Sequence, residues 1–61
     1  MQYLTDREVS AKLAIPLQTL RNWRYLRKGP AYIKLNRHVR YRAEDVDSYM
    51  LRHMVEVRED A

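Results

Sequence analysis

The apolar positions in the first quarter of the chain follow a helical spacing behind a strong start signal. Thr5 and Glu8 stand three apart, as in a capping box, and Leu4 and Val9 occupy the staple positions on either side of that cap. Val9 and Leu13 extend an apolar i, i+4 stripe, so the pattern predicts a first helix from about Asp6 to Leu13. Ala14-Ile15-Pro16 reads as a short turn, because proline is tolerated at or just before a first helical turn and not later. A second helix is predicted from near Leu17 to Tyr25 or Leu26. Leu20 and Trp23 share one of its faces, which should pack on the first helix, while Gln18, Arg21, Asn22 and Tyr25 point elsewhere.

Gly29-Pro30 closes this two-helix unit, since glycine accepts positive φ and proline cannot extend a helix. The pattern then changes period. Ile33 and Leu35 flank Lys34, and Val39 and Tyr41 flank Arg40, an alternation that predicts a hairpin with one face buried. A two-residue loop at Asn36-Arg37 would pair Ile33 with Arg40 and mix the faces. A three-residue loop, Asn36-Arg37-His38, pairs Leu35 with Val39 and Ile33 with Tyr41 and is the expected register; it sets Lys34 and Arg40 opposite each other on the outer face. Asn36 suits the turn because asparagine tolerates the left-handed region. A third helix is expected from near Glu44, with Glu44, Asp45 and Asp47 on the favoured end of its dipole. Its stripe is Val46, Tyr49, Met50, His53 and Val57, and Arg58-Glu59-Asp60-Ala61 is expected to fray. The order is helix, helix, hairpin, helix: a mostly α domain with a small β-hairpin over residues 1–57, followed by a short tail, 58–61.

Charge sharpens this picture. Between Arg21 and Arg42 there are eight basic residues and no acidic one, whereas residues 43–61 carry six acids and two bases. A positive field confined to one third of a small domain is the footprint of a polyanion binder. Two helices joined by a three- or four-residue turn form a helix-turn-helix, and a polar, basic free face on the second helix suits a major-groove reader. The 61-residue length leaves little room for a pocket with a catalytic apparatus, and the absence of cysteine removes disulfides and thiolate metal sites. His38 and His53 fall on different elements, so no metal or other cofactor is expected. Glu44 and Asp45 are adjacent and diverge on a helix, which is no paired-carboxylate site. No catalytic triad or phosphate-cradling glycine loop is visible, so an enzyme is not expected. Nor is a secretory signal or a membrane span, and the reading is of a cytoplasmic protein.

Tyr3-Leu4-Thr5 with Glu8-Val9, then Thr19-Leu20-Arg21 with Trp23-Arg24, resembles the opening of the small excisionase and MerR-type helix-turn-helix domains. Gly29-Pro30, Ile33-Lys34-Leu35, Val39-Arg40-Tyr41-Arg42 and Glu44-Asp45-Val46 continue the likeness in the same order, over roughly residues 3–52. The chain departs from that pattern in having Asn36 where the wing tip commonly has glycine, and in lacking a Ser or Thr cap before the second helix. The resemblance implies a winged helix-turn-helix that binds double-stranded DNA, with the second helix in the major groove and the hairpin wing against the adjacent backbone or minor groove. It further implies either an excisionase, which bends attachment-site DNA to assist an integrase, or a short transcription regulator. The long dimerising helix and effector domain of MerR regulators have no counterpart here, so no small-molecule effector is expected.

On the second helix, Arg21 and Arg24 are the first candidates for DNA contact, because a guanidinium matches guanine O6/N7 or phosphate in a fork. Gln18 and Asn22 can read adenine edges, and Thr19 either donates to a phosphate or supports the first helical turn. Tyr25 lies against the backbone or packs under the following loop. Arg27 and Lys28 in the linker are phosphate candidates. On the wing, Asn36, Arg37 and His38 form the tip, where cations suit a narrow minor groove, and Lys34, Arg40 and Arg42 supply phosphate contacts from the outer face. Trp23, three residues after Leu20, belongs to the core. A monomer this small offers few contacts, so side-by-side copies on DNA are expected, with an acidic third helix or tail facing a neighbour's basic wing. A protein-interaction adaptor using the acidic third helix is the reading from another class.

Overall fold

The computed structural model describes residues 2–57. Its elements are β1 (Tyr3–Leu4), α1 (Asp6–Leu13), α2 (Leu17–Tyr25), β2 (Ile33–Leu35), β3 (His38–Arg42) and α3 (Ala43–Arg52). The expected fraying of Arg58-Glu59-Asp60-Ala61 lies outside the described residues.

The start of α1 is fixed by the reciprocal bonds its sequence predicts. The Glu8 N–H donates to the Thr5 hydroxyl at 3.2 Å, and the Thr5 N–H donates to the Glu8 carboxylate at 2.9 Å. Leu4 and Val9, the staple pair, are both buried. The turn Ala14-Ile15-Pro16 is closed by Ala14 in the left-handed region (φ 56°) and by the Ser10 hydroxyl, which donates to the Ile15 carbonyl. Pro16 then stands as the cap residue of α2 without any side-chain cap bond. At the far end of α2, Arg27 takes φ 58° and the Lys28 N–H reaches back to the Trp23 carbonyl at 2.8 Å. Gly29, at φ 89°, lies flat against the Trp23 ring: a β-carbon there would sit 2.7 Å from Trp23 Cε3.

Leu4, Val9, Leu20, Tyr41 and Val46 form the buried core, with Leu13, Ile15, Trp23, Val39 and Ala43 packed around it. Every element except β2 contributes to that core, which is how a domain of this size makes one continuous interior. Trp23 packs as its spacing predicts, and its ring lies 6.0 Å from that of Tyr49 on α3.

The sheet differs from expectation in two respects. First, Tyr3-Leu4 is a strand as well as the approach to α1: β1 pairs antiparallel with β3 (Tyr3 with Arg42, Leu4 with Tyr41), and the sheet order is β1-β3-β2. Second, the hairpin turns on two residues, Asn36-Arg37, and not three. Leu35 pairs with His38, Lys34 with Val39 and Ile33 with Arg40. Tyr32, rather than Ile33 or Leu35, shares the inner face with Tyr41. One step beyond Ile33–Arg40, Tyr32 comes opposite Tyr41 with the ring centroids 6.0 Å apart. Asn36 at φ 56° allows the shorter turn. Ile33 and Leu35 therefore face outward with Arg40, and together with Tyr3 they line a shallow apolar hollow. Lys34 and Arg40 lie on opposite faces and do not repel each other across the ladder.

α3 begins at Ala43, directly out of β3 and one residue ahead of the expected start. It ends at Arg52 with His53 as its cap residue, so the predicted stripe is shorter than its sequence spacing. Val46 is fully buried and Tyr49 half-buried, whereas Val57 is off the helix and 87% exposed. Beyond Tyr49 the stripe meets no core element. The exposed His53 ring lies tilted against Tyr49, with the centroids 4.2 Å apart.

Candidate nucleic-acid interface

The amphipathic split of α2 decides which of its side chains reach solvent. Leu20 is buried and Trp23 half-buried, which leaves Gln18, Arg21, Asn22 and Tyr25 on the exposed side. Tyr25 is 86% exposed, which excludes packing under the loop. Thr19 is partly buried in the first turn, as a residue supporting that turn would be.

Between α2 and the hairpin runs an open cleft of about 530 Å³, lined by Arg21, Arg24 and Tyr25 on one side and Tyr32, Lys34, Asn36, Arg37 and Val39 on the other. Four cationic side chains converge there, and no carboxylate is among the lining residues. The two-residue turn produces this arrangement. Pairing Lys34 with Val39 turns the lysine toward α2, where the three-residue register would have sent it outward. Lys34 makes no ion pair among the described residues.

The cations of the cleft are not equivalent. Arg24 is largely buried: its Nη1 lies 3.5 Å from Asp6 Oδ2 and 3.5 Å from the Tyr41 hydroxyl, and its guanidinium sits 6.0 Å over the Tyr32 ring. Burial works against its charge, but the Tyr41 hydroxyl and the Asp6 carboxylate outweigh that cost, and its pKa is raised. Burial also raises the pKa of Tyr41, partly offset by its bond from Arg24. Arg24 thus ties α2 to α1 and to the sheet before it offers anything to a ligand. Arg21 is half-exposed, and it too has its Nε 3.5 Å from Asp6 Oδ2.

The remaining predicted residues are spread around this centre. Arg27 and Lys28 border a separate hollow at the end of α2 with Gly29, Pro30, Ala31 and Tyr32. His38 and Arg40 share the outer face of the hairpin, and Arg40 donates to the carbonyl of Val39 at 2.8 Å. Arg42 is held by α3: its guanidinium forks onto both oxygens of Asp45 at 2.8 and 3.0 Å and reaches Glu44 at 3.5 Å. That hydrogen bonding holds Arg42 more basic than usual and Asp45 more acidic. Its positive charge is therefore matched within the protein. Two residues of this site, Tyr32 in the cleft and Asp6 beside its two helix arginines, were not visible in the sequence as site residues. Both act across the tertiary structure, and neither stands in a basic or helical pattern that marks it.

A helix-turn-helix whose second helix and hairpin flank a basic cleft is a winged helix-turn-helix, a DNA-binding architecture. The chain belongs to the family described as "Helix-turn-helix domain", whose model matches residues 3–54. No curated protein and no solved structure shows significant similarity to it. Among the described residues, no helix is long and apolar enough to cross a membrane, and no group of metal-ligating side chains occurs.

Proposed function

We propose that the protein binds double-stranded DNA sequence-specifically with α2 in the major groove and the β2–β3 turn in the adjacent minor groove. The observation that carries this reading is the basic cleft. In a duplex the phosphate strand separates the two grooves, so a helix in one and a turn in the other leave that strand running between them. Lys34, Arg37 and Arg21 line that path. Gln18, Arg21 and Asn22 then face base edges, Arg27 and Lys28 meet phosphates beyond the end of α2, and Arg37 enters the minor groove. His38, Arg40 and Arg42 lie outside this path and contact no phosphate along it.

Within that chemistry the role is that of an excisionase: a factor that occupies adjacent sites, bends the DNA and assists an integrase. Family membership supports this, because the family includes excisionase-like proteins. So does the small single-core domain, whose few contacts favour several copies bound side by side. Footprinting on DNA flanking its own gene, followed by an excision assay with the neighbouring integrase, tests both levels. A defined footprint with stimulated excision supports the role. A footprint over a promoter with no effect on excision would reassign it to transcription control, and no protection at low salt would overturn DNA binding by this surface.

A further inference from the structure

The structure assigns to Asp6 a positioning role in DNA reading that its place at the start of α1 does not suggest: one carboxylate oxygen organises both arginines of the recognition helix. Asp6 Oδ2 lies 3.5 Å from Arg21 Nε and 3.5 Å from Arg24 Nη1. Asp6 and Arg24 are both about four-fifths buried at the side chain, while Arg21 is half-exposed. Arg24 has further anchors in the Tyr41 hydroxyl and the Tyr32 ring, whereas Asp6 is the sole ion-pair partner of Arg21 among the described residues.

The geometry has two consequences. Contact through Nε leaves both terminal nitrogens of Arg21 free, the pair that grips guanine O6 and N7 in a fork. A long side chain that would otherwise sample many rotamers is thereby presented in one orientation, and less entropy is lost when it reads a base. The carboxylate also cancels one of two adjacent positive charges. The trio carries a net single charge toward the DNA, which restrains the sequence-independent attraction to phosphate. Asp6 thus trades general affinity for discrimination.

The inference rests on the placement of α2 in the major groove, and its test keeps the two separable. Asp6→Asn preserves size and the first turn of α1 while removing the charge. Binding is measured by fluorescence anisotropy on the footprinted site and on a scrambled duplex across a salt series. Asp6→Asn is expected to bind the scrambled duplex more tightly than the parent, with the log K against log salt slope steeper by about 0.9. Discrimination between the two duplexes should fall about tenfold, the range of one lost bidentate base contact. In an Arg21→Ala background, Asp6→Asn should leave discrimination unchanged. A purely structural role would instead weaken both duplexes together and leave the slope alone, and that outcome overturns the proposal. Should Asp6→Asn not fold, Asp6→Ser, a residue suited to helix starts, takes the same measurements. If Arg21→Ala itself changes neither affinity nor discrimination, the groove placement fails. If Arg21→Ala lowers both while the Asp6 variants keep parental discrimination and slope, only the role of Asp6 fails.

Discussion

The two-residue hairpin turn makes a prediction that separates Lys34 from Arg40, two cations one strand apart. Lys34 pairs with Val39 and lines the cleft, whereas Arg40 pairs with Ile33 and lines the apolar hollow on the opposite face. If a phosphate strand occupies the cleft, Lys34→Ala removes one neutralised phosphate and Arg40→Ala removes none. Each such contact contributes about 0.9 to the slope of log K against log salt. Across a fourfold rise in salt, that contact alone accounts for a factor of about 3.5 in affinity. Lys34→Ala should therefore weaken binding most at low salt, converge toward the parent as salt rises, and flatten the slope by about 0.9. Arg40→Ala should track the parent throughout. Anisotropy titrations on one duplex at four or five salt concentrations resolve the difference. Thermal melts check folding, since Lys34 is exposed and Arg40 is partly buried with only a bond to the Val39 carbonyl to lose. Equal slope changes in both variants, or a change only in Arg40→Ala, would refute the placement of the DNA strand in the cleft.

Three further outcomes test the fold that carries this surface. Gly29→Ala must hold φ 89° with a β-carbon 2.7 Å from the Trp23 ring, so it should cost about 2 kcal/mol or more and lower Tm by roughly 10 °C in calorimetry. Thr5→Ala removes one half of the capping box and should cost about 1 kcal/mol by urea denaturation, with the midpoint shifted and the slope of the transition unchanged. Arg42 holds the Asp45 carboxyl below its usual range, so the stability from this pair is complete above the ordinary aspartate pKa of about 3.9 and disappears as pH falls through the lower folded value. Asp45→Asn should flatten that acid limb in a plot of Tm against pH.

The parts of this protein set by neighbours a few residues apart were legible in the chain. The capping box at Thr5 and Glu8, the bounds of α1 and α2, the turn at Ala14-Ile15-Pro16 and the core face of Leu20 and Trp23 all rest on local spacing, and all appear as expected. Gly29 was legible as a break, because only a residue without a β-carbon fits its backbone comfortably. The basic helix and basic hairpin were likewise visible as charge. What those charges face was not. The hairpin register turned on Tyr32 meeting Tyr41, a packing choice among residues nine apart, and alternation alone favoured the wrong one. The β1 strand, two residues long, exists only because β3 offers it an edge. Arg24 and Arg42 read identically to Arg21 in a linear count. In the folded chain Asp6 and Tyr41 hold the first, and Asp45 and Glu44 hold the second. By itself the sequence determined the three helices, the presence of the hairpin and the sign of the surface, since these depend on local propensity and composition. Only the tertiary structure decided which cations stay available to a ligand, because a charge's partner is fixed by distances between segments that the linear order does not contain.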